Sequence, residues 1–174
     1  MKHTSYETER LIIRPTDEVD AGFVFELVNT PKWLMYIGDR NIKTVEDAKQ
    51  YIQVKMTPQL KRLGYSNYTV ITKLDDKKIG ICGLYDREGL EGIDIGFAFL
   101  PEYEKNGFAF ESSNKLIAVA FSEFDVNAIS AITVKDNRSS QLLLEKLGLK
   151  YTGTTKMPNE DEEVLVYKIE RPTV

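Results

Sequence analysis

The sequence predicts a mixed α/β (α+β) fold, a central mixed sheet of about seven strands with helices on its faces. Three observations predict it. Short runs rich in β-branched and aromatic residues recur along the chain between turn signals. Three of them, over 68–100, follow one another as a meander. The pattern then changes to helix, strand, helix and two strands, an alternation that packs helices on a mixed sheet.

In chain order, Arg10 to Arg14 reads as the first strand, closed by Pro15. Thr16 or Asp17 can cap a helix over Ala21 to Val28, where Phe23 with Leu27 and Val24 with Val28 recur at helical spacing. Thr44 opens a second helix, with Asp47 completing a capping box and Ala48, Ile52 and Met56 on one face. Pro58 should disturb its end, because proline has no N–H to give and its ring crowds the preceding turn. Tyr68 to Lys73, Lys78 to Tyr85 and Ile93 to Leu100 are strands, separated by turns at Asp75-Asp76 and Glu88-Gly89. Gly107 to Phe124 is a long helix with a wide apolar face that includes Leu116, Ile117, Ala120 and Phe121. Ala128 to Val134 is a strand, and Asn137 to Leu147 is a helix stopped by Gly148 in the left-handed position. Leu149 to Thr155 and Val164 to Ile169 pair as a closing hairpin around the acidic loop Asn159 to Glu163.

Composition narrows the function. The 174 residues contain no Gly/Ser linker, low-complexity tract or repeat, so residues 1–174 read as one domain. Lys plus Arg is 23 against 27 Asp plus Glu, a net charge of −4, which argues against nucleic acid because phosphate backbones demand a basic surface. The single Cys82 excludes an intrachain disulfide, and with His3 as the only histidine there is no zinc-ligand cluster, so no metal is expected. The polar start Met1-Lys2-His3-Thr4-Ser5 has no apolar core of a signal peptide, and no apolar run approaches the ~18 residues of a membrane span. The expected setting is the cytoplasm.

The chemistry concentrates in Ile95 to Glu111. A strand ends at Leu100-Pro101, a polar turn holds Glu102 to Asn106, and Gly107 opens the long helix without a capping side chain. Such a helix start presents unpaired N–H groups and the positive end of the helix dipole, which reads either as a site for phosphate or as a plain loop–helix junction. Gly107 lets the backbone approach a diphosphate, Ala109 keeps the next turn clear, and Lys105 adds a point charge.

The run Pro101-Glu102-Tyr103-Glu104-Lys105-Asn106-Gly107-Phe108-Ala109-Phe110-Glu111 resembles the acetyl-CoA pyrophosphate loop of GNAT acetyltransferases, Arg/Gln-x-x-Gly-x-Gly/Ala, with Gly107 and Ala109 on its last two fixed positions. Thr8-Glu9-Arg10-Leu11-Ile12-Ile13-Arg14-Pro15 is similar to the entry strand of the branch that resembles ribosomal-protein N-terminal acetyltransferases. Asn137-Arg138-Ser139-Ser140 and Leu144-Glu145-Lys146-Leu147-Gly148-Leu149 resemble that branch's Asn-x-x-Ser…Glu-Lys-x-Gly-Phe segment. The matches lie in family order over nearly the whole chain. Glu104 and Lys105 depart from the pattern, standing where Arg or Gln and Gly are usual.

The resemblance implies a GNAT-like fold, mostly antiparallel with helices on both faces, and an acetyl-CoA-dependent N-acetyltransferase with a primary amine as acceptor, either a peptide N-terminus or a small molecule. It implies a coenzyme site of Phe99, Leu100, Lys105, Asn106, Gly107, Phe108, Ala109, Phe110, Asn137 and Ser140, with a backbone N–H near Phe99 polarising the thioester. Asp94 stands where the family often has Glu and is expected to accept the amine proton through a water; the alternative is a surface strand carboxylate. Ser140 is expected to position or protonate the coenzyme sulfur, since Leu144 replaces the tyrosine acid of many relatives. Asn137 has helix capping as its alternative role. Polyamine or antibiotic acetylation, and an acyl-CoA-binding module without catalysis, stay open, as does a homodimer. Trp33 and Tyr36 read either as an acceptor pocket or as packing; Cys82 reads as a core thiol, and Glu160 to Glu163 as a solvated tip or a lure for cations.

Overall fold

The computed structural model describes residues 3–173. Eight strands form one sheet in the order β1-β2-β3-β4-β5-β6-β8-β7. They are β1 (Tyr6–Glu7), β2 (Leu11–Pro15), β3 (Asn67–Thr72), β4 (Lys78–Asp86), β5 (Ile93–Phe99), β6 (Ala128–Val134), β7 (Lys150–Lys156) and β8 (Glu163–Glu170). Every neighbouring pair is antiparallel except β5 and β6. The strand beyond the expected seven is the two-residue β1, too short to carry an alternating pattern.

One face carries helices α1 (Ala21–Val28), α2 (Pro31–Tyr36), α3 (Val45–Tyr51) and α4 (Thr57–Leu63). Phe23, Val24, Leu27, Trp33, Ala48, Ile52 and Met56 pack there with Ile81 and Leu100. The other face carries α5 (Phe108–Glu123) and α6 (Arg138–Lys146), which bury Leu116, Ile117, Ala120, Leu144 and Leu147 against Cys82, Leu84, Ile95 and Phe99. At about 1.5–3 kcal/mol for each large aliphatic side chain buried, this packing fixes where α5 begins. No described helix is long and apolar enough to cross a membrane.

The caps form as the side chains dictate. Asp17 caps a 3-10 turn over Glu18–Asp20 that leads into α1. Thr44 and Asp47 exchange capping-box hydrogen bonds of 3.0 and 2.9 Å. Asp20 is fully buried, and its carboxylate joins Arg14 of β2 (2.7 Å), Lys78 of β4 (2.7 Å) and the Thr69 hydroxyl of β3 (3.0 Å). Burial alone would raise its pKa; the Arg14 and Lys78 hydrogen bonds win and bring it down to about 2.

Two helical details go beyond the expectation. Pro58 does disturb the end of the second helix, but the chain does not stop there. The chain widens into a π-helical segment over Ile52–Met56 and continues as α4, so Thr57 N–H bonds the Ile52 carbonyl and the ladder absorbs the missing donor. The helix α2, started by Pro31 at its first turn, was not anticipated because its exposed Leu34 and Met35 break the amphipathic period.

Candidate active site

The strands β5 and β6 pair only at Ile93↔Ile129 and Asp94↔Ser130, although each is seven residues long. Beyond Asp94 they part, and the gap opens toward their C-terminal ends. Helices α5 and α6 start just after those ends, so the crevice is flanked by two helix N-termini, the place where ligands sit in sheets of this kind. Leu100 N–H bonds the Ile79 carbonyl at 2.9 Å, on the β4 side. Strand alternation then turns the main-chain groups of Phe97 and Phe99 the other way, into the gap. The N–H expected near Phe99 therefore faces the crevice. Leu100 does not: its N–H is used by Ile79, its carbonyl accepts from Tyr103 N–H at 3.0 Å, and its side chain packs on the α1–α4 face. Its main-chain groups are thus committed within the β4–β5–α5 connection and not turned into the gap.

The loop ahead of α5 has the geometry an anion needs. Gly107 is the N-cap at φ 80°, and no side chain caps the helix. The first helical bond runs from Glu111 N–H to the Gly107 carbonyl at 3.0 Å, which leaves the N–H groups of Phe108, Ala109 and Phe110 without helical partners. The loop is braced from behind. Arg10 donates to the Asn106 carbonyl at 3.0 Å and to Glu111 at 2.7 Å, and lies 4.3 Å over the Phe108 ring. Phe110 packs under Lys146 of α6, whose Nζ sits 4.4 Å from the ring centre. Lys105 is exposed, with φ 61°. Glu104 does not face the helix start; its carboxylate is ion-paired with Lys32 of α2. The acid that departs from the family loop thus has its own counterion.

On α6, Asn137 is the N-cap and its side-chain oxygen accepts from Ser140 N–H at 3.3 Å. That is the capping role, and it sets Ser140 in the first turn, half-buried, beyond the end of β6.

Asp94 lies on the α1–α4 face, directly opposite Tyr85 of β4. It is fully buried, so the surface-carboxylate reading is overturned: the hairpin tucks it beneath Arg87. Arg87 Nε meets its two oxygens at 3.2 and 3.3 Å. Burial raises the Asp94 pKa above its ordinary value, and the Arg87 charge works against that rise. Arg87 also sits 5.2 Å from the Tyr85 ring centre, and Asn67 Nδ2 donates to the Tyr85 hydroxyl at 3.0 Å. Tyr85 lies flat over Gly83 and Gly96: a Cβ on either would meet its ring or hydroxyl at 2.5–2.9 Å. Sequence reading missed Arg87 by taking its segment only as a turn; the hairpin register that pairs Asp86 with Ile93 is the signal that places it near Asp94.

Other candidates fall elsewhere. Cys82 is buried on the opposite face, 3.5 Å from the Ser113 hydroxyl, and burial pushes its thiol up to about 11. Trp33 is buried in the α1–α4 core, which is packing, while Tyr36 is half-buried. Pro158, just ahead of the acidic tip, lies against the Arg87 hairpin, since a Cβ on Gly89 would meet it at 2.5 Å.

Known proteins agree with this architecture. A model of the acetyltransferase (GNAT) domain matches residues 10–150. The uncharacterized N-acetyltransferase YoaA of Bacillus subtilis is 30% identical over 152 residues, 86% of this chain and 85% of its own. A second from that organism, YnaD, is 27% identical over 149 residues, covering 86% and 84%. The crystal structure of a GNAT-family acetyltransferase from Bacillus anthracis superposes with a TM-score of 0.78 at 25% identity, over 97% of this chain and 99% of that one. RimL, a ribosomal L7/L12 α-N-protein acetyltransferase solved in complex with coenzyme A, has the same fold, with a TM-score of 0.82 at 17% identity over 96% of this chain and 98% of that one. With its sheet parting at Asp94 and its uncapped helix start at Gly107, the chain belongs to the GNAT acetyltransferase family and is an N-acetyltransferase.

Proposed function

We propose that residues 1–174 form one domain that moves an acetyl group from acetyl-CoA directly to a primary amine, with both substrates held together in the β5–β6 crevice. The single observation that carries this reading is the parting of β5 from β6 after Asp94, which leaves main-chain groups of β5 without strand partners beside an uncapped helix N-terminus. Acetyl-CoA supplies an activated acetyl thioester. The N–H groups of Phe108, Ala109 and Phe110 bind its diphosphate, and Gly107 with Asn106 and Lys105 shapes the approach. The Phe99 N–H, fixed by the β4–β5 ladder, donates to the carbonyl oxygen as negative charge grows there. Asp94 takes the amine proton through a water; burial makes its carboxylate a stronger base than an exposed one. Ser140 and Asn137 position the sulfur end of the pantetheine arm. Cys82, buried on the other face as a protonated thiol, is unsuited to carry the acetyl group, which favours direct transfer.

A peptide α-amino group is the favoured acceptor. The RimL neighbour is named for that activity, and the motifs around Asn137 resemble the same branch. The cytoplasm is the proposed setting, where acetyl-CoA and such acceptors meet. Amine-dependent release of CoA tests the proposal, with peptides, polyamines and aminoglycosides as the panel.

Glu104 gives a sharper check on the loop. Its carboxylate, in the loop that leads into the proposed phosphate site, neutralises Lys32 of α2. Glu104→Gln should free Lys32 and remove a negative charge, tightening acetyl-CoA binding by about 0.5–1 kcal/mol at low ionic strength. The gain should shrink as salt screens the charge. Calorimetric titration at two salt concentrations measures it; weaker binding would show that the Glu104–Lys32 pair holds the loop in its binding shape.

A further inference from the structure

The carboxylate proposed as the base is not what an incoming acceptor meets first. Asp94 has no accessible surface, whereas the Arg87 side chain above it is 36% exposed. A buried carboxylate needs a paired charge and hydrogen bonds to remain ionised. Among the described residues the only side-chain partner of Asp94 is Arg87. The contact is one Nε–H shared between two oxygens at 3.2 and 3.3 Å, longer than the usual ~2.7–2.9 Å of charge-assisted bonds and without the two-pronged fork that locks such pairs. It balances the charge and leaves lone pairs of the buried carboxylate unengaged by any other side chain.

Arg87 is itself supported. Its guanidinium rests on Tyr85, which lies on the Gly83–Gly96 floor and is anchored through its hydroxyl by Asn67. Asn67, Tyr85, Arg87 and Asp94 therefore form one chain of contacts from β3 across β4 to β5, ending where β5 parts from β6. The hairpin carrying Arg87 contains Gly89 and Gly92, both at positive φ, and exposed Glu88 and Glu91. The other titratable groups around the pair are the phenols of Tyr85 on β4 and Tyr51 at the end of α3.

We infer that Arg87 is a positioning residue of the active site, holding the buried Asp94 carboxylate charged and aimed while leaving lone pairs on it unclaimed for the acceptor's proton. This rests on the reading of Asp94 as the base. The sign follows from the two opposing effects: burial favours the neutral acid and the guanidinium favours the carboxylate. Without Arg87 the acid form persists to higher pH, and the acidic limb of the rate profile moves up with it.

The test uses whole protein labelled with ¹³C-aspartate, with the Asp94 carboxyl resonance identified by its loss in Asp94→Asn. Wild type, Arg87→Gln and Arg87→Lys are titrated by NMR, and kcat/KM is followed against pH on an accepted amine. In Arg87→Gln both the Asp94 titration and the acidic limb should rise by about one pH unit or more, a change of the size that an adjacent opposite charge produces. Arg87→Lys, which keeps the charge, should return most of both shifts, and acetyl-CoA affinity should stay near wild type. Arg87→Met, whose apolar stem can still rest on Tyr85, carries the same expectation if the glutamine variant folds poorly. An unmoved Asp94 titration, or a moved titration with an unmoved acidic limb, overturns the inference while leaving Asp94 as the base. Wild-type turnover in Asp94→Asn overturns the base reading and this inference with it.

Discussion

Replacing Asp94 by asparagine is expected to lower turnover by about 10²–10⁴-fold, the usual contribution of a general base, while acetyl-CoA binding stays nearly intact. The substitution keeps the shape of the side chain and removes its basicity. Asp94 lies on the face opposite α5, so the proposed phosphate site at the α5 N-terminus is not disturbed. The pH dependence gives the sign. The carboxylate must be ionised to take a proton, so wild-type kcat/KM falls as pH drops through the Asp94 pKa, which burial holds above the ordinary carboxylate value. That limb should vanish in the variant, leaving the limb set by ionisation of the acceptor amine. Removing the charge also leaves Arg87 without its anion, so denaturant unfolding must first confirm that the variant is folded. A variant with the wild-type rate and the same acidic limb would make Asp94 a structural partner of Arg87 only.

The second large effect is on the coenzyme. Gly107→Val is expected to weaken acetyl-CoA binding by at least about tenfold, roughly 1.4 kcal/mol. Two causes act together. Gly107 has φ 80°, a conformation that a β-branched residue strongly resists. Its Cβ would also meet Arg10 Nη2 at 3.3 Å, crowding the side chain that braces the loop through the Asn106 carbonyl. Gly107→Ala, with the backbone strain and less bulk, should fall between wild type and valine. Calorimetry on variants with unchanged far-ultraviolet circular dichroism decides it. Equal affinity in all three would remove the phosphate role from the α5 N-terminus.

Much of this architecture was legible in the residues because local chemistry and burial agree there. The Thr44 capping box, the Gly148 helix stop and the strand over Ala128–Val134 act through side chains a few positions apart, and each forms where expected. The helix α2 was hidden because its exposed apolar residues erase the period. The π-helical segment was hidden because a proline signals only that the α ladder fails, not how the chain repairs it. The candidate site shows the same division. Gly107 and Asp94 carry signals in their own sequence neighbourhoods. The Lys32 partner of Glu104 and the brace from Arg10 lie far along the chain and become visible only once the sheet and helices bring them together. Arg87 is close in sequence to Asp94, yet their contact depends on a hairpin register that the turn residues alone do not specify.

The central claim is that this chain moves acetyl groups from acetyl-CoA to a primary amine. The most direct measurement incubates the protein with acetyl-CoA and a panel of peptides with varied N-termini, polyamines and aminoglycosides, quantifying free CoA by thiol detection and the acetylated amine by mass spectrometry. The account predicts CoA release that depends on the amine and is matched one-for-one by an acetylated primary amine, with peptide α-amino groups leading the panel. Tight acetyl-CoA binding with no acetylated product from any amine would contradict it and make the chain an acyl-CoA-binding module.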